Sequence, residues 1–233
     1  ILGPDGAKLS KRHGAVSVLQ YQEEGYLPDA LLNYLVRLGW SHGDQEIFSR
    51  DEMVKLFDIK DVNKAASAFN PDKLLWLNQQ HMMRAEPVTI VPHLRWQLVH
   101  LGIEAADDGV LEAIIIAQRE RAKTLKEMAE NSRFFFGEGV TLDDKAAQKH
   151  LTAESRQALQ QLASRLRMLP EWTAASIHEL VQAVAAELTL SLGKLAQPLR
   201  VAVTGGTVSP PIDQTLAILG RERTMNRLLA VLG

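Results

Sequence analysis

The sequence predicts a mainly α-helical protein, and three of its features lead to this expectation. Apolar residues recur at spacings of three and four in most long segments, as one buried face of a helix requires. Residues that favour helix starts (Ser, Thr, Asn or Asp, often followed by Pro or an acidic residue) precede these segments. Glycine or proline separates many of them. With 233 residues, the chain is long enough for one large domain or two small ones.

The composition excludes several classes of protein. The hydrophobic content of 46% is ordinary, and the net charge of −2 does not by itself indicate a nucleic-acid partner. Any RNA-binding surface must therefore come from an uneven distribution of charge. The absence of cysteine excludes disulfides and fits a reducing cytoplasm. The seven histidines form no HxH or HxxxH pair, so we expect no metal site. We find no apolar run of the ~20 residues that a membrane span needs, and no signal peptide.

The first elements are predicted in chain order. Residues 16–26 indicate a short strand followed by a turn of helix. Pro28 and Asp29 then begin a helix, because proline suits its first position and aspartate its positive end, and Gly39 ends it. Trp40 is interpreted as a core residue at the helix end, with stacking on a base as the alternative. The apolar face of this helix contains Leu31, Leu32, Leu35, Val36 and Leu38.

Two further helix starts are marked by capping residues. Ser49 and Glu52 form the capping-box pattern, in which each side chain bonds the other residue's backbone amide. Asn70 suits the N-cap position of the following helix, and Pro71 suits its first turn. That helix is expected to bury Leu74, Leu75, Leu77 and, as a further candidate, Trp76.

A domain boundary is expected at residues 86–87, followed by a helix over 91–101 that Pro92 interrupts at its start. Asp107 then caps a predicted long helix, with apolar positions between 110 and 129.

A continuous helix over 110–129 would place Arg119, Lys123 and Lys126 on one face. That face is either an exposed surface with ion pairs to neighbouring glutamates or a functional surface.

The aromatic run 134–136 also has two interpretations, stacking on RNA bases and packing between subdomains. We prefer packing, because three adjacent aromatic side chains cannot all face solvent. The next boundary is expected at 139–142. Later helices are predicted to begin near Thr141, Thr152 and Thr173. Their apolar faces indicate an antiparallel bundle.

The C-terminal part combines a proline-containing helix with a tight turn. Pro198 lies in a segment that its flanks predict to be helical, and the glycine pair 205–206 ends it. A Ser-Pro-Pro turn at 209–211 follows, in a loop that an RNA backbone can approach closely. Residues 216–232 predict two packing helices broken at Gly220.

One basic stretch near the N-terminus has chemistry suited to phosphate. The run Gly3-Pro4-Asp5-Gly6 predicts a turn, and Lys8-Leu9-Ser10-Lys11-Arg12-His13-Gly14 follows it. Lysine offers point charges, arginine a planar fork and serine a hydroxyl. The alternative is a basic turn in solvent, since short basic runs are common.

In its context, this stretch resembles the second signature loop, KMSKS, of class I aminoacyl-tRNA synthetases, and the whole chain resembles the bacterial glutamyl-tRNA synthetases. Besides the loop, the resemblance is carried by Ile1–Gly6, Gln20-Tyr21, Gly25–Pro28, Leu32–Leu35, Leu38–Ser41, Ala196–Arg200 and Ser209-Pro210. The HIGH-type motif of the family's nucleotide-binding domain does not occur in these 233 residues. We therefore expect the tRNA-binding back half of a larger enzyme.

The resemblance implies a domain arrangement and an activity. Residues 1–15 are expected to end the catalytic domain and 16–86 to form a stem-contact helical domain. Residues 87–141 and 142–233 are expected to form the two helical subdomains of an all-α anticodon-binding domain. The implied enzyme is a glutamate–tRNA ligase that activates glutamate with ATP, in the presence of Mg²⁺, and transfers it to tRNA(Glu). It is expected to be cytoplasmic and monomeric, with no membrane contact, and the 233 residues alone are expected to be inactive.

The resemblance also assigns site residues. Lys8 and Lys11 are the expected catalytic residues, and ATP is expected to contact Lys8, Leu9, Ser10, Lys11 and Arg12. Arg121 is expected to read the last anticodon base. The residues expected to hold the first base are Arg200, Ser209, Pro210 and Ile212. Family members often have Thr where Ser209 stands and a small residue where Pro211 stands.

Three hypotheses remain open beside this one. Ser10, in a basic loop that a kinase can reach, is a candidate phosphorylation site, because a phosphate there would occupy the place of the ATP phosphates. The chain is alternatively a non-catalytic helical module that binds RNA or protein. It is also compatible with a non-discriminating enzyme that charges tRNA(Gln) as well.

Overall fold

The computed structural model describes residues 1–3, 5–10, 17–104 and 107–233, and these confirm a mainly α-helical fold. Within them, β-pairing is limited to isolated bridges of Leu2 with Lys8 and with Ala68. No helix of the described residues is long and apolar enough to cross a membrane. The α-helices of this part of the chain are α1 (Val18–Glu23), α2 (Pro28–Arg37), α3 (Arg50–Leu56), α4 (Pro71–Arg84), α5 (Pro87–His100), α6 (Asp108–Gln118), α7 (Leu125–Asn131), α8 (Asp144–His150), α9 (Ala153–Met168), α10 (Ala174–Glu187), α11 (Leu192–Thr204), α12 (Ile212–Leu219) and α13 (Arg221–Leu232).

The chain forms two compact units, Ile1–Glu130 and Asn131–Gly233. In the first unit α2 packs on α4 and α5 packs on α6. The α2–α4 contact buries Leu31, Tyr34, Leu74 and Leu77 in one apolar cluster. A second cluster contains Trp40, Phe48 and Met53, and the burial of Trp40 confirms its interpretation as a core residue. Each fully buried aliphatic side chain of this kind contributes roughly 1.5–3 kcal/mol.

The capping predictions of the first unit are confirmed. Ser49 and Glu52 form the complete capping box of α3. Asn70 caps α4 through a 3.0 Å bond from the Lys73 amide, with Pro71 in the first turn.

Two predictions for residues 17–76 are wrong. The described residues 17–26 contain no strand; instead Ser17 caps α1 by accepting a hydrogen bond from the Leu19 amide. Val18 and Leu19 are 69% and 65% exposed, so their apolar character does not mark a buried strand. Trp76 is 38% exposed rather than buried, and its ring lies beneath the Lys73 ammonium at 4.3 Å.

The predicted long helix over 110–129 is also wrong, because the chain leaves helical geometry between α6 and α7. Contacts from distant residues hold this turn. The Asn78 amide donates a 2.7 Å hydrogen bond to the Lys123 carbonyl, and the Leu125 amide N–H donates to the Gly25 carbonyl at 2.9 Å. Since the helix is interrupted, the expected common face of Arg119, Lys123 and Lys126 does not form.

The second unit is a bundle of α8 to α13, in which α9 contacts α10, α11 and α13. Thr152 and Thr173 cap α9 and α10 as predicted, and Asp143 caps α8 within the predicted helix start at 141–144. Apolar faces of the helices meet at Leu159, Leu162, Leu166, Ile177, Val181, Val184, Leu199 and Leu228.

Arg227 is a buried cation, and its hydrogen bonds stabilise the first residues of this unit. Its guanidinium donates to the carbonyl oxygens of Val203 at 2.6 Å, Phe134 at 2.7 Å and Glu138 at 3.2 Å, and also to that of Gly137. Burial lowers the pKa of Arg227 from its usual value. Phe135 is buried beside this network, which confirms a packing role for that ring.

Candidate nucleic-acid interface

The basic stretch begins at a tight turn. The Gly3 amide donates to the Ala7 carbonyl at 2.8 Å, and Gly6 has a positive φ of 75°. Asp5 Oδ1 accepts a 3.0 Å hydrogen bond from the Ala7 amide, and this side-chain contact also stabilises the turn. These contacts confirm the predicted turn for its described residues.

The turn is anchored and presents Lys8 to solvent. Leu2 donates to the Ser67 carbonyl and accepts from the Phe69 amide, both at 2.8 Å, so the stretch is tied to the segment just before α4. Lys8 is exposed, and Leu9 and Ser10 are half-buried. Lys11 and Arg12 lie outside the described residues, and the proposed ATP contacts of this stretch stay a prediction.

Arg121 lies in the turn between α6 and α7 and is exposed. Its backbone amide donates to the Gln118 carbonyl at 2.8 Å. The neighbouring carbonyls are held by α4: Gln79 donates to that of Glu120 at 3.0 Å and Asn78 to that of Lys123 at 2.7 Å. The loop that carries Arg121 is therefore positioned by two side chains of another helix.

Asn78 is the central residue of this arrangement. It is fully buried, and its Oδ1 accepts a 2.8 Å bond from the Leu27 amide, while its Nδ2 also reaches the Gly25 carbonyl at 3.4 Å. The sequence did not single it out, because a polar residue inside an amphipathic helix gives no signal of its own.

The structure brings Arg200, Ser209 and Pro210 together in the second unit. Arg200 Nη1 donates to Ser209 Oγ at 3.0 Å, to the Ser209 carbonyl at 3.2 Å and to the Pro210 carbonyl at 3.3 Å. Thr215, which is fully buried, adds a 3.2 Å bond from its hydroxyl to the Pro210 carbonyl. We name this arrangement the arginine bracket. Its guanidinium organises the loop that follows α11.

The loop itself depends on Gly205. This residue ends α11 with a positive φ of 84°, and a Cβ there would lie 2.3 Å from the Thr141 carbonyl oxygen. Ser209, Pro210 and Ile212 are buried, so their side chains do not form an open surface. The exposed part of the loop is Thr207 and Val208, of which Val208 is 81% exposed. Neither was singled out from the sequence.

The described residues contain no group of three or more His, Cys, Asp or Glu side chains that could hold a metal ion. The Lys8 stretch and the Arg121 loop belong to the first unit, and the arginine bracket belongs to the second.

Two family models match this chain, over the two ranges that contain these regions. A family model described as the catalytic domain of class I tRNA synthetases (E and Q) matches residues 1–76, and one described as the anticodon binding domain matches residues 84–232. A glutamate–tRNA ligase of Alkalilimnicola ehrlichii is 59% identical over 232 residues, and one of Halorhodospira halophila is 56% identical over 228. These alignments cover 100% and 98% of this chain, and 49% and 48% of the relatives. The chain thus spans about half the length of the curated relatives it matches.

Solved structures show the same fold. The crystal structure of a glutamate tRNA ligase from Elizabethkingia meningosepticum superposes with a TM-score of 0.84 at 32% identity, over 100% of this chain and 50% of that one. One from Elizabethkingia anophelis gives a TM-score of 0.80 at 31% identity.

The helical fold and the two matched ranges define a protein of the class I tRNA synthetase type. The chain belongs to the anticodon binding domain family, and it is homologous over its whole length to bacterial glutamate–tRNA ligases. The family resemblance drawn from the sequence is thereby confirmed.

Proposed function

We propose that this chain is the tRNA-binding part of a glutamate–tRNA ligase and that it supplies one loop to the ATP site. The observation that carries the proposal is the arginine bracket, a preorganised loop inside the range that matches the anticodon binding domain. Anticodon bases are unpaired and can be read along their edges by side chains and backbone groups of such a loop.

The proposed reaction has two steps. The glutamate carboxylate attacks the α-phosphate of ATP and displaces pyrophosphate, which gives glutamyl-adenylate. The terminal ribose hydroxyl of tRNA(Glu) then attacks the glutamyl carbonyl, and AMP leaves. Negative charge develops on the phosphates in the first step, and preorganised cations are usually the largest catalytic contribution there. Lys8 is held in position by the backbone bonds around Leu2 and Ala7, which supports its role as one of these cations. Lys11 is proposed as the second.

We assign functions to four parts of the chain: residues 1–15 to the ATP loop, 16–86 to the tRNA inner corner, and 87–141 and 142–233 to the anticodon. The start of α5 at Pro87 supports the second boundary. Arg121 is proposed to read the last anticodon base, and the arginine bracket with Ile212 is proposed to hold the first. The complete enzyme is proposed to act as a cytoplasmic monomer with ATP and Mg²⁺.

Binding of the 233-residue chain to tRNA(Glu) tests the proposal. Affinity is measured for the native tRNA, for the same tRNA with an altered anticodon and for tRNA(Gln), at a low and a high salt concentration. Tighter binding to the native anticodon that persists at high salt is expected, because base contacts depend less on counterion release than phosphate contacts do. Equal affinity for all three tRNAs would contradict the assignment of the anticodon site.

We propose in addition that phosphorylation of Ser10 blocks adenylate formation by the complete enzyme. Ser10 follows the anchored Lys8 segment, and a phosphate adds almost two negative charges where the ATP phosphates are proposed to bind. Glutamate-dependent ATP–pyrophosphate exchange is measured with homogeneously phosphorylated enzyme. Unchanged exchange would disprove this role of Ser10.

A further inference from the structure

The second unit uses its two kinds of cation differently. Residues 131–233, all described by the structure, contain eight arginines. Six of them bind backbone carbonyls or a carboxylate inside the unit: Arg156, Arg165, Arg200, Arg221, Arg223 and Arg227. The three lysines of these residues, Lys145, Lys149 and Lys194, have no ion pair within the described part of the chain. The lysines, together with Arg133 and Arg167, are thus the cations left for an external anion.

Two of the three lysines line one cleft. This cleft has a volume of about 600 Å³ and lies between the end of α8, the start of α9 and the start of α11. Lys149 and Lys194 are both exposed and both line it, and Lys145 lies one helical turn before Lys149 on α8. We call it the lysine cleft.

The other lining groups also suit an anion. His150, Thr152, Ser155 and Ser191 contribute a ring nitrogen and hydroxyls. The side chain of Ser191, the N-cap residue of α11, makes no hydrogen bond to the first turn of this helix. The N–H groups of that turn are therefore not capped by a side chain of the N-cap residue. A helix start of this kind favours negative charge.

One acidic residue lines the cleft, and it is already engaged. The carboxylate of Glu154 is hydrogen-bonded at the start of α9, to its own backbone amide and to the Thr152 side chain. Two lysines against this one carboxylate leave the lining of the cleft with a net positive charge.

The lysine cleft continues directly into the candidate anticodon loop. Gln197 lines the cleft, and its side-chain amide donates a 3.0 Å bond to the carbonyl of Thr207, in the loop that the arginine bracket organises. Arg200 follows Gln197 by one helical turn on α11. The cleft and the arginine bracket are thus one helical turn apart on α11, within reach of neighbouring nucleotides of one RNA strand.

We propose that the lysine cleft binds the phosphodiester backbone of the RNA strand next to the anticodon, with Lys149 and Lys194 as the phosphate contacts. This inference rests on the proposed function and adds a second kind of contact to it. Phosphate contacts carry no sequence information, so the cleft contributes affinity without anticodon discrimination.

The test compares the 233-residue chain with its Lys149→Ala/Lys194→Ala variant in binding to tRNA(Glu) and to the same tRNA with an altered anticodon, over a series of chloride concentrations. A loss of affinity on the order of tenfold at ~0.1 M salt is expected, by the same factor for both tRNAs. The salt slope of the logarithm of the binding constant should fall by about 1.4, since each single-strand phosphate contact contributes roughly 0.7. Both lysines are exposed, so their replacement should leave the fold intact.

Arg167→Ala is the control for loss of a positive charge outside the cleft. Arg167 is exposed and lies near the far end of α9, about 22 Å along the helix from Thr152. Its replacement removes one positive charge from the same unit away from the cleft, and it should leave the affinity and the salt slope almost unchanged.

The possible outcomes separate the two proposals. If the unaltered chain binds tRNA(Glu) selectively but the lysine variant binds equally well, the proposal that the lysine cleft binds RNA is wrong and the proposed function stands. If the unaltered chain does not bind tRNA(Glu), both are wrong. A loss of affinity that depends on the anticodon base would contradict a backbone contact. If inorganic phosphate displaces tRNA much better than chloride at equal ionic strength, and only from the unaltered chain, the cleft is a small-anion site instead.

Discussion

At the scale of single residues, Arg200 has a different immediate task from the one that the family resemblance suggests. Its Nη1 donates to three acceptors on Ser209 and Pro210, so the guanidinium first shapes the loop and contacts RNA only as part of it. The sequence singled out Arg200, Ser209 and Pro210 as candidates here. It did not predict that they bind each other, because that contact closes across a loop whose path depends on Gly205.

Replacing Arg200 should therefore affect anticodon discrimination through the loop. Arg200→Ala removes charge-assisted hydrogen bonds worth roughly 1.5–3 kcal/mol and leaves the buried Ser209 and Pro210 carbonyls without this donor. We expect the preference for the native anticodon to fall by about 1–3 kcal/mol, the cost of one base contact by analogy with readout of DNA. Arg200→Lys keeps the charge but not the planar fork, and it should lose most of the discrimination as well. Full discrimination in the lysine variant would show that charge alone suffices.

His81 predicts a pH dependence in the first unit. It is half-buried, its Nε2 lies 3.0 Å from the Asn33 Oδ1, and burial lowers its pKa, with Asp29 opposing and Arg84 adding to the shift. Arg50 and His93 line the same cavity. A histidine whose pKa is lowered in the folded state favours folding when neutral, so its contribution is complete above the unfolded-state pKa of about 6.5. That contribution is lost as the pH falls through the folded-state pKa.

The measurement is urea unfolding of the chain and of His81→Gln between pH 7.5 and 5. Glutamine keeps a donor for Asn33 and cannot take up a proton in this range. We expect the stability of the unaltered chain to fall more steeply below pH 6.5 than that of the variant. If the stability of both proteins falls equally as the pH is lowered, His81 is not the source of the pH dependence.

At the scale of elements, the helices that were predicted correctly are those with local signals. Ser49, Asn70, Thr152 and Thr173 each bond an amide three residues ahead, so sequence neighbours suffice to specify the start. The break between α6 and α7 has no such signal. It depends on Asn78 and Gly25, which reach the loop only after α4 has packed. The lysine cleft was not predicted either, because Lys149 and Lys194 come together only when α8 and α11 pack.

Asn78 is expected to position the loop that carries Arg121. Asn78→Asp preserves the shape and the acceptor for the Leu27 amide, but it places a carboxylate oxygen against the Lys123 carbonyl instead of a donor. We expect a loss of stability of about 1–3 kcal/mol and reduced discrimination at the anticodon base proposed for Arg121. Combined with Arg121→Ala, the change should reduce discrimination no further than Arg121→Ala alone, because both act through one side chain.

A variant of Gln97 is the control that distinguishes a specific effect of Asn78 from a general loss of stability. This buried amide donates a 2.6 Å bond to the Gln22 carbonyl in the same unit and, among the described residues, has no hydrogen bond to the Arg121 loop. Gln97→Ala should lower stability to a similar extent and leave discrimination unchanged. Additive losses in the Asn78→Asp/Arg121→Ala pair would show that Asn78 does not act through Arg121.

At the scale of the whole molecule, a chain with an overall charge of −2 is proposed to bind an anionic RNA, and the distribution of its cations suits this proposal. In the second unit, most arginines hold backbone carbonyls, whereas two lysines line a cleft that adjoins the arginine bracket. The arginines thus stabilise the fold of this unit, whereas the lysines are proposed to attract the RNA. The overall composition could not reveal this division.

The whole chain is also expected to separate tRNA binding from chemistry. Lys8 is held by the turn at residues 3–7, but a positioned cation accelerates a reaction only when both reactants are held beside it. The 233 residues contain no HIGH-type motif, so we expect them to bind tRNA(Glu) without catalysing glutamate-dependent ATP–pyrophosphate exchange. The measurement is this exchange at saturating ATP and glutamate, with and without tRNA(Glu), and with a full-length homologous ligase as the positive control. Exchange above background that disappears in Lys8→Ala would show that these residues alone assemble an adenylate-forming site, and the division between the two functions would then be wrong.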